Sequence, residues 1–226
     1  MLSYNSRMNY SKDFPSPVPQ KRKRGLATME RVLETAAQLF AARGYDSVSL
    51  REIADAAGIR ESSLYNHFSG KADILETLLG AFRERAPAFR PTIDEMESLL
   101  PHITPEEAFK HVLFYFGRHN DVLAEHIAMI ITNEKYKNAL AAKTYYECIV
   151  AEPIAYYKSL ITRMVERGMV RPVDARAFAE QYNYASIALT KEYFMAKNGL
   201  ADLESVVRAM IRSIRFFCAQ MALDAG

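Results

Sequence analysis

Residues 36–75, AAQLFAARGYDSVSLREIADAAGIRESSLYNHFSGKADIL, decide the fold of this chain. Their apolar residues recur at intervals of three and four, the spacing that places side chains on one face of an α-helix. Gly44, Gly58 and Gly70 interrupt this pattern, and a glycine directly after a periodic run marks the end of a helix. The stretch therefore predicts short helices that are joined by tight turns.

The same stretch, extended on both sides, predicts a specific arrangement of helices. A first helix is predicted from Thr28 to Arg43. Ser49 is followed three residues later by Glu52, a capping-box pattern in which each side chain satisfies a backbone N–H at the start of a helix. Further helices are predicted from Arg60 to Phe68 and from Lys71 to Arg85. Two short helices flanking a glycine-containing turn, with longer helices beside them, describe a helix-turn-helix unit.

The helical period continues to the end of the chain. An aromatic and histidine-rich region runs from Glu106 to Asn133, and the helical stretch from Tyr136 to Arg167 contains Pro153, which is expected to kink or divide it. Two long helices are predicted over Val173–Lys197 and Ala201–Leu223. The predicted fold class is all-α, with an N-terminal three-helix helix-turn-helix domain followed by a larger helical domain.

Residues 1–25 differ from the rest of the chain, because they contain Pro15, Pro17 and Pro19 with several Ser and Asn. This composition predicts a flexible arm, followed by a helix-turn-helix domain at 26–72 and a larger domain at 73–226. Through Lys71 the chain has eleven Lys and Arg against seven Asp and Glu, whereas the remainder has eighteen against twenty. Positive charge is therefore concentrated at the front, most densely in Lys21–Arg24, a run that by itself is as often a solvated tail as a nucleic-acid contact.

Several classes of protein are disfavoured by the sequence. No uninterrupted apolar stretch reaches the length of a membrane span, and the first residues lack the hydrophobic core of a signal peptide. We therefore predict a cytoplasmic protein without a membrane partner. Cys148 and Cys218 lie far apart and are interpreted as small buried hydrophobes. Without a nucleophile–base set, metal-ligand spacing or phosphate-binding glycine loop, we expect neither an enzyme nor a cofactor.

The segment from Met29 to Phe82 resembles the DNA-binding domain of the TetR family of bacterial regulators. The resemblance rests on residues 36–75, and its most specific part is SSLYNHFSGKADIL, residues 62–75. It covers about a quarter of the chain. In the C-terminal two-thirds, the resemblance extends only to the helical architecture.

The resemblance implies that the second short helix enters the major groove and reads base edges with its N-terminal residues. Arg60 is suited to a bidentate contact with guanine, and Glu61 to accepting a hydrogen bond from cytosine. Leu64 and Phe68 are assigned to the core. A lone Tyr or His at a helix end is more often a packing residue, but the whole set favours DNA contact. The residues predicted to contact DNA are Ser49, Arg51, Arg60, Glu61, Ser62, Ser63, Tyr65, Asn66, His67 and Lys71, with Lys21, Arg22, Lys23 and Arg24 of the arm tracking phosphates or entering the minor groove.

The resemblance also implies an inducer pocket among the middle helices. Pockets are generally apolar with a few convergent polar groups, which the composition of this region can supply, although aromatic stripes on helices are more often core. Gly117 and Asn120 argue against a shared helix face for the two histidines at 119 and 126, so no metal site is predicted. The predicted ligand-binding residues are His111, Phe114, Tyr115, His119, His126, Met129, Tyr145 and Tyr156, from an aromatic set that also includes Tyr146 and Tyr157.

The final two helices are predicted to form the dimer interface, since in the family they pair with the same helices of a second subunit. The alternative is that their apolar stripe only packs inward. The residues predicted to form the interface are Phe178, Tyr182, Leu189, Val207, Met210, Ile211, Ile214 and Phe217. Arg208, Arg212 and Arg215 are expected to be solvated.

Together these expectations describe a sequence-specific, DNA-binding transcriptional regulator. We predict a homodimeric repressor that is released from a palindromic DNA operator when an unidentified small-molecule inducer binds its C-terminal domain. The polarity of regulation depends on where the operator lies, so an activator is also compatible with the sequence. Two alternatives from other classes are a regulator controlled by a protein partner and a helical-bundle enzyme.

Overall fold

The computed structural model describes residues 20–119 and 121–223, with side chains from Ala27 onward. Every regular element in these residues is helical, which confirms the all-α fold class. The α-helices are α1 (Gln20–Arg43), α2 (Leu50–Ala56), α3 (Glu61–Leu64), α4 (Lys71–Arg85), α5 (Ile93–Leu99), α6 (Pro105–His119), α7 (Val122–Glu134), α8 (Ala139–Thr144), α9 (Glu152–Glu166), α10 (Ala175–Lys197) and α11 (Leu203–Gln220). Short 3₁₀ helices occupy Ala86–Phe89 and Leu100–His102.

The N-terminal helices pack around side chains that alternate along the sequence with polar ones. Phe40 of α1, Ile53 of α2 and Leu64 of α3 are fully buried, and Phe68 joins them. Leu64 and Phe68 are therefore core residues, as predicted. Apolar side chains at these positions release water when α2 and α3 fold onto α1 and α4. This burial fixes α3 and leaves its polar side chains at the surface.

The first helix begins earlier than predicted. The structure starts α1 at Gln20 instead of Thr28, so residues 20–25, assigned above to a flexible arm, are helical. Lys, Arg and Gln have high helix propensity, and only Gly25 opposes helix formation between Gln20 and Arg43. The basic run Lys21–Arg24 therefore lies within α1, while the rest of the predicted arm, residues 1–19, lies outside the described residues.

The second short helix is shorter than predicted. α3 covers only Glu61–Leu64, whereas the periodicity indicated a helix to Phe68. Beyond Leu64 the backbone tightens, because the N–H of Asn66 donates to Ser63 O and that of His67 donates to Leu64 O. These three-residue hydrogen bonds make a turn in place of a further α-helical turn. Tyr65, Asn66 and His67 consequently project from a tight turn at the end of α3.

The C-terminal helices differ from the predicted ones mainly at capping residues. The region Glu106–Asn133 is divided into α6 and α7, and the Asp121 side chain accepts a hydrogen bond from Ala124 N at the start of α7. Asp174 and Asp202 cap α10 and α11, so both helices begin two residues later than predicted. Aspartate is a favoured N-cap because its carboxylate satisfies free backbone N–H groups.

Pro153 changes the helix ahead of it in an unexpected way. Instead of a simple kink, residues Tyr145–Ala151 form a π-helix that runs directly into α9. Proline has no N–H and its ring excludes the carbonyl four residues earlier, which here is Ile149 O. The buried Asn183 side chain of α10 provides a hydrogen-bond donor for the carbonyls here. Its Nδ2 donates to Ile149 O at 3.1 Å and lies 3.5 Å from Val150 O.

The buried side chains form two clusters. One joins α1–α4 to α7, α8 and the π-helix, so it spans both predicted domains. The other holds together α5, α6, α9, α10 and α11. Within residues 20–119 and 121–223, no helix has the combination of length and apolar character that crossing a membrane requires.

Candidate functional site

The exposed face of α3 presents the residues predicted to reach base edges. Arg60 is the N-cap residue of α3, and its exposed side chain forms no capping hydrogen bond. Glu61 and Ser62 are exposed, whereas Ser63 is half-buried. Leu64 is the buried residue of this helix, so the polar residues face away from the core. They are well placed for contact with an external partner.

The turn after α3 extends this surface. Tyr65 is 54% exposed although it is a large aromatic residue, and Asn66 and His67 are exposed beside it. An exposed tyrosine hydroxyl, amide and imidazole are all suitable donors to phosphate oxygens. Arg51 of α2 is also exposed, and its 3.9 Å ion pair with Asp55 is a weak surface contact. Its guanidinium can therefore turn towards another anion.

Ser49 has a structural role in addition to its predicted contact. Its hydroxyl caps α2, accepting from Glu52 N at 3.2 Å and donating to Glu52 Oε2 at 2.7 Å. The capping box is therefore confirmed. The backbone N–H of Ser49 also donates to Glu52, and this hydrogen bond is the main reason why the pKa of Glu52 falls to about 2. Arg43 contributes further, through an ion pair at 2.7 Å.

This lowered pKa predicts that the start of α2 is sensitive to acid. A group whose pKa is depressed in the folded state adds stability above its unfolded pKa, near 4.5, and that stability is lost as the pH falls towards 2. Glu52→Gln should therefore be less stable than wild type in urea unfolding at neutral pH, and the difference should shrink between about pH 5 and pH 2. Glu76→Gln is the matched loss of an exposed carboxylate. A difference that does not change with pH would contradict the assignment.

Lys71, which is predicted to contact phosphate, also binds the loop between α1 and α2. Its ammonium donates to Tyr45 O and Val48 O, each at 2.9 Å, and to Asp46 O at 3.4 Å. It also lies 4.4 Å from the centre of the Tyr45 ring. A lysine ammonium has three N–H donors, so the carbonyls of the loop between α1 and α2 occupy all of them. Lys71 is a positioning residue for this loop.

The same loop is attached to the C-terminal part of the chain. The N–H of Tyr45 donates to Oε1 of Glu134 at 3.3 Å, and Glu134 is buried at the end of α7. Nearby, Lys137 forms a longer, exposed ion pair with Asp46. The loop that Lys71 holds at the start of α2 is thus also held by α7. The C-terminal part of the chain is therefore in direct contact with the loop that leads into α2.

A large cavity of about 640 Å³ lies in the C-terminal part of the chain. Helices α6, α7 and α10, the π-helix and α9 form most of its wall. Ala41 and Ala42 of α1 and Phe82 of α4 complete it. Its volume falls within the range of sites for drug-sized ligands. Helices of the DNA-binding part therefore contribute directly to the cavity wall.

Most of the predicted ligand-binding residues lie outside this cavity. Met129 and Tyr145 line it, but His111, Phe114, Tyr115, His119, His126 and Tyr156 do not. On α6 the cavity face consists of Val112, Leu113 and Phe116, and the predicted residues lie on other faces. Tyr115 and His119 instead stack on each other, with ring centres 3.8 Å apart, at the end of α6.

The cavity wall also contains polar residues that the sequence did not single out. Arg90, Thr132, Asn183, Ser186 and Thr190 all line the cavity. Tyr157 and Tyr182 also line it, and burial raises the pKa of the Tyr157 hydroxyl to about 12 and that of Tyr182 well above its usual value. These polar residues are common in helices, and only the tertiary fold brings them together at the cavity wall.

Asn183 links this wall to the π-helix, and its removal should be costly. Asn183→Leu leaves the carbonyls beside Pro153 buried without their donor. We expect it to lower the free energy of unfolding by about 1–3 kcal/mol. Asn198→Leu is the control, because the Asn198 amide is exposed and bonds only one turn back to Phe194 O. Chemical denaturation measures both, and equal losses would contradict the specific role of Asn183.

Both cysteines are free thiols in low-dielectric surroundings. Cys148 is buried and lines the cavity, and burial raises the pKa of its thiol to about 11. Cys218 is half-buried on α11, and burial raises its pKa to about 12. Neither forms a reactive thiolate at neutral pH. The interpretation of the cysteines as small hydrophobes agrees with these environments.

The residues predicted to form the dimer interface differ in how far they are exposed. Tyr182 and Ile214 are buried inside the subunit, and Phe178 and Phe217 pack against the same cluster. Leu189, Val207, Met210 and Ile211 are only partly exposed. The apolar stripe faces inward because α10 and α11 must cover α6 and α9. The exposed large hydrophobics of α10 and α11 are instead Tyr184, Met195, Leu203 and Phe216.

Sequence comparison identifies relatives of this chain. The family model described as "Bacterial regulatory proteins, tetR family" matches residues 32–78. The HTH-type transcriptional regulator YwcC of Bacillus subtilis is 30% identical over 152 residues, covering 65% of this chain and 68% of the relative. The HTH-type transcriptional repressor KstR2 of Mycobacterium tuberculosis is 27% identical over 145 residues, covering 62% of this chain and 68% of the relative.

Solved structures share the fold over most of the chain. A transcriptional regulator from Saccharomonospora viridis, in complex with choline, has a TM-score of 0.62 at 22% identity and covers 86% of this chain and 96% of its own. The complex of SmeT with triclosan has a TM-score of 0.62 at 14% identity and covers 88% of this chain and 93% of its own. At these identities the likeness establishes the shared helical architecture.

Proposed function

We propose that this chain, which belongs to the TetR family of bacterial regulatory proteins, is a dimeric repressor that releases its operator when a small molecule occupies the C-terminal cavity. The observation that carries the proposal is the composition of the cavity wall. Ala41, Ala42 and Phe82 belong to the helices that support α2 and α3, and they line the same cavity as α6, α7 and α10. A ligand there contacts the DNA-binding part of the chain directly.

DNA binding is assigned to the surface of α2, α3 and the turn after α3. Arg60, Glu61 and Ser62 are proposed to contact base edges, while Tyr65 and His67 contact phosphates. Arg51, Ser49, Ser63 and Asn66 flank them. Lys21–Arg24 add positive charge at the start of α1 and are proposed to contact the DNA backbone. Lys71 acts indirectly, because its ammonium holds the loop that precedes α2.

Two copies of α3 are needed for specificity, since a single helix-turn-helix contacts few bases. We assign the dimer interface to the outer face of α10 and α11, where Tyr184 and Phe216 are exposed. Exposed aromatic residues are enriched at protein interfaces. A twofold dimer presents two α3 helices to successive major grooves, about 34–36 Å apart, and so favours a palindromic operator.

The proposed switch works through α7. Met129 and Thr132 of α7 line the cavity, and Glu134, at the end of the same helix, holds the loop between α1 and α2 through Tyr45 N. A ligand that displaces α7 therefore moves α2 and α3, and changes the spacing of the two recognition helices. Its effect on operator affinity is limited by its differential affinity for the two states, and the coupling is reciprocal.

The other functions fit less well. The cavity gives a small molecule a place to bind inside the chain, which a regulator controlled only by a protein partner does not need. The curated relatives are transcriptional regulators, so we assign no enzymatic activity. We place the site of action in the cytoplasm, where bacterial DNA is located.

The proposal is tested by selecting retained duplexes from a random DNA library and sequencing them. We expect one palindrome to be enriched for the wild-type chain, and enrichment to be lost with Tyr65→Ala and with His67→Ala. Tyr136→Ala, which removes an exposed tyrosine from another part of the surface, should select the same palindrome. No enrichment at low salt would overturn the proposed function.

A further inference from the structure

The cavity wall contains a mostly buried cation. Arg90 follows the 3₁₀ helix Ala86–Phe89, and its side chain is only 16% exposed while it lines the cavity. Its guanidinium lies 3.7 Å from Oε2 of Glu152, beyond hydrogen-bond distance. It also lies 5.5 Å from the centre of the Tyr156 ring. The guanidinium has five N–H donors, more than these two contacts can occupy.

The surroundings of Arg90 include polar atoms that are also incompletely satisfied. Among residues 20–119 and 121–223, the buried side-chain atoms without a hydrogen-bond partner are the Tyr156 hydroxyl, Oε2 of Glu152 and Oε2 of Glu97. Buried polar atoms in proteins are nearly always paired, and exceptions call for an explanation. Two of these atoms, on Tyr156 and Glu152, lie beside the Arg90 guanidinium, although neither of these two residues lines the cavity. Arg90 itself lines the cavity, so it places a positive charge with spare N–H donors at the cavity wall.

The rest of the wall is strongly apolar. Phe82, Phe89 and Phe116 lie on the side of α4 and α6, and Met129 and Ile149 lie on α7 and the π-helix. A ligand that fills this space must be largely hydrophobic to compensate for its own desolvation. A group of opposite charge is needed only at Arg90.

We propose that the effector is an amphipathic organic carboxylate, whose carboxylate pairs with Arg90 and whose apolar body fills the cavity. This inference rests on the proposed function, in which the cavity holds the effector. The planar guanidinium matches a carboxylate through two parallel N–H···O bonds. Glu152 does not prevent this pairing, because its side chain is 43% exposed and can turn towards solvent.

Other ligand charges fit the cavity less well. A cationic ligand would bring a second positive charge to the buried Arg90, and a neutral ligand would leave the spare guanidinium N–H groups unpaired. Lys191 also lines the cavity, but it is exposed. Water and salt screen an exposed ammonium, so it holds an anion more weakly than the mostly buried Arg90 does.

The test uses three probes that share one ten-carbon body: decanoate, 1-decanol and decyltrimethylammonium. Isothermal titration calorimetry on the full chain, below the micellar range, should show decanoate binding about tenfold or more tightly than decanol, with the cation weakest. Arg90→Gln should remove the preference for decanoate. Arg90→Lys, which keeps the charge but not the planar fork, should retain part of it. Lys191→Gln should leave the preference intact.

Each outcome decides the inference. Equal affinity for decanoate and decanol, no decanoate binding, or loss of the preference in Lys191→Gln in place of Arg90→Gln would overturn it. Thermal unfolding of each variant shows whether it is folded. If Arg90→Gln does not fold, the decanoate preference of Arg90→Lys is compared with that of the wild-type chain instead. Operator selection with the wild-type chain is independent of these titrations. If a palindrome is selected but decanoate is not preferred, only the proposed ligand class is wrong. If no palindrome is selected, the proposed function itself is wrong.

Discussion

We expect Phe216→Glu to separate the proposed dimer into monomers at concentrations where the wild-type chain self-associates. Phe216 is 61% exposed on α11 and packs edge-to-face against Phe217, with ring centres 5.5 Å apart. In the proposed dimer this ring lies between two copies of α10 and α11. Replacing it removes a buried aromatic contact and introduces an unpaired carboxylate, so we expect self-association to weaken by about 100-fold or more. Analytical ultracentrifugation over a concentration series measures this change.

The matched control is Tyr136→Glu. Tyr136 is 85% exposed and lies in the turn between α7 and α8, so the substitution adds the same charge to another part of the surface. Its dimerisation constant should equal that of the wild-type chain. Operator affinity should fall only for Phe216→Glu, because a monomer binds each half-site separately. Unchanged dimerisation of Phe216→Glu would move the interface to another face.

Lys71→Met is expected to lower the free energy of unfolding, although it removes only one half-buried charge. The ammonium of Lys71 donates to Tyr45 O and Val48 O at 2.9 Å, and methionine leaves these carbonyls without that donor. Hydrogen bonds from charged donors contribute roughly 1.5–3 kcal/mol each. Since these two share one ammonium, we expect a total loss of about 2 kcal/mol. Urea unfolding followed by circular dichroism measures it.

Lys137→Met provides the control for Lys71→Met. Lys137 contacts the same loop through a 3.8 Å ion pair with Asp46, but its side chain is 69% exposed. An exposed pair of this kind contributes little, so the loss should stay below about 0.5 kcal/mol. Lys71→Met should also lower operator affinity through the displaced start of α2. If Lys71→Met matches wild type in stability but abolishes DNA binding, Lys71 is a phosphate contact after all.

The local structure of the DNA-binding part was predictable because its determinants are close in sequence. Ser49 and Glu52 form a capping box across three residues, and Leu64 and Phe68 are buried together because the tight turn between them is closed by a hydrogen bond from Phe68 N to Leu64 O. The hydrogen bonds of the Lys71 ammonium were not predictable in this way. Its acceptors lie more than twenty residues earlier, so only the packing of α4 against the preceding loop directs the ammonium to them.

To predict the residues of the cavity and of the dimer interface, one must know which face of each helix packs against its neighbours. Tyr115 and His119 carry chemistry suited to a pocket, yet the cavity lies beside Phe116, on another face of α6. Composition alone cannot distinguish these faces. Composition is equally uninformative for Tyr182, which belongs to the apolar stripe predicted to form the interface. Its ring packs inside the subunit against Phe109, with ring centres 4.8 Å apart. An exposed residue such as Phe216 is recognisable only after the inner face is known.

The residues at the start of α3 are proposed to read the operator sequence, and selection with Arg60→Ala tests this role most directly. Arg60 is exposed at the N-terminus of α3, where a side chain enters the major groove. Repeating the random-duplex selection with this variant should yield the same palindrome with relaxed preference at one symmetric base pair in each half-site, a discrimination of about 1–3 kcal/mol. Unaltered preference at every position would show that α3 does not read the sequence in the way proposed here.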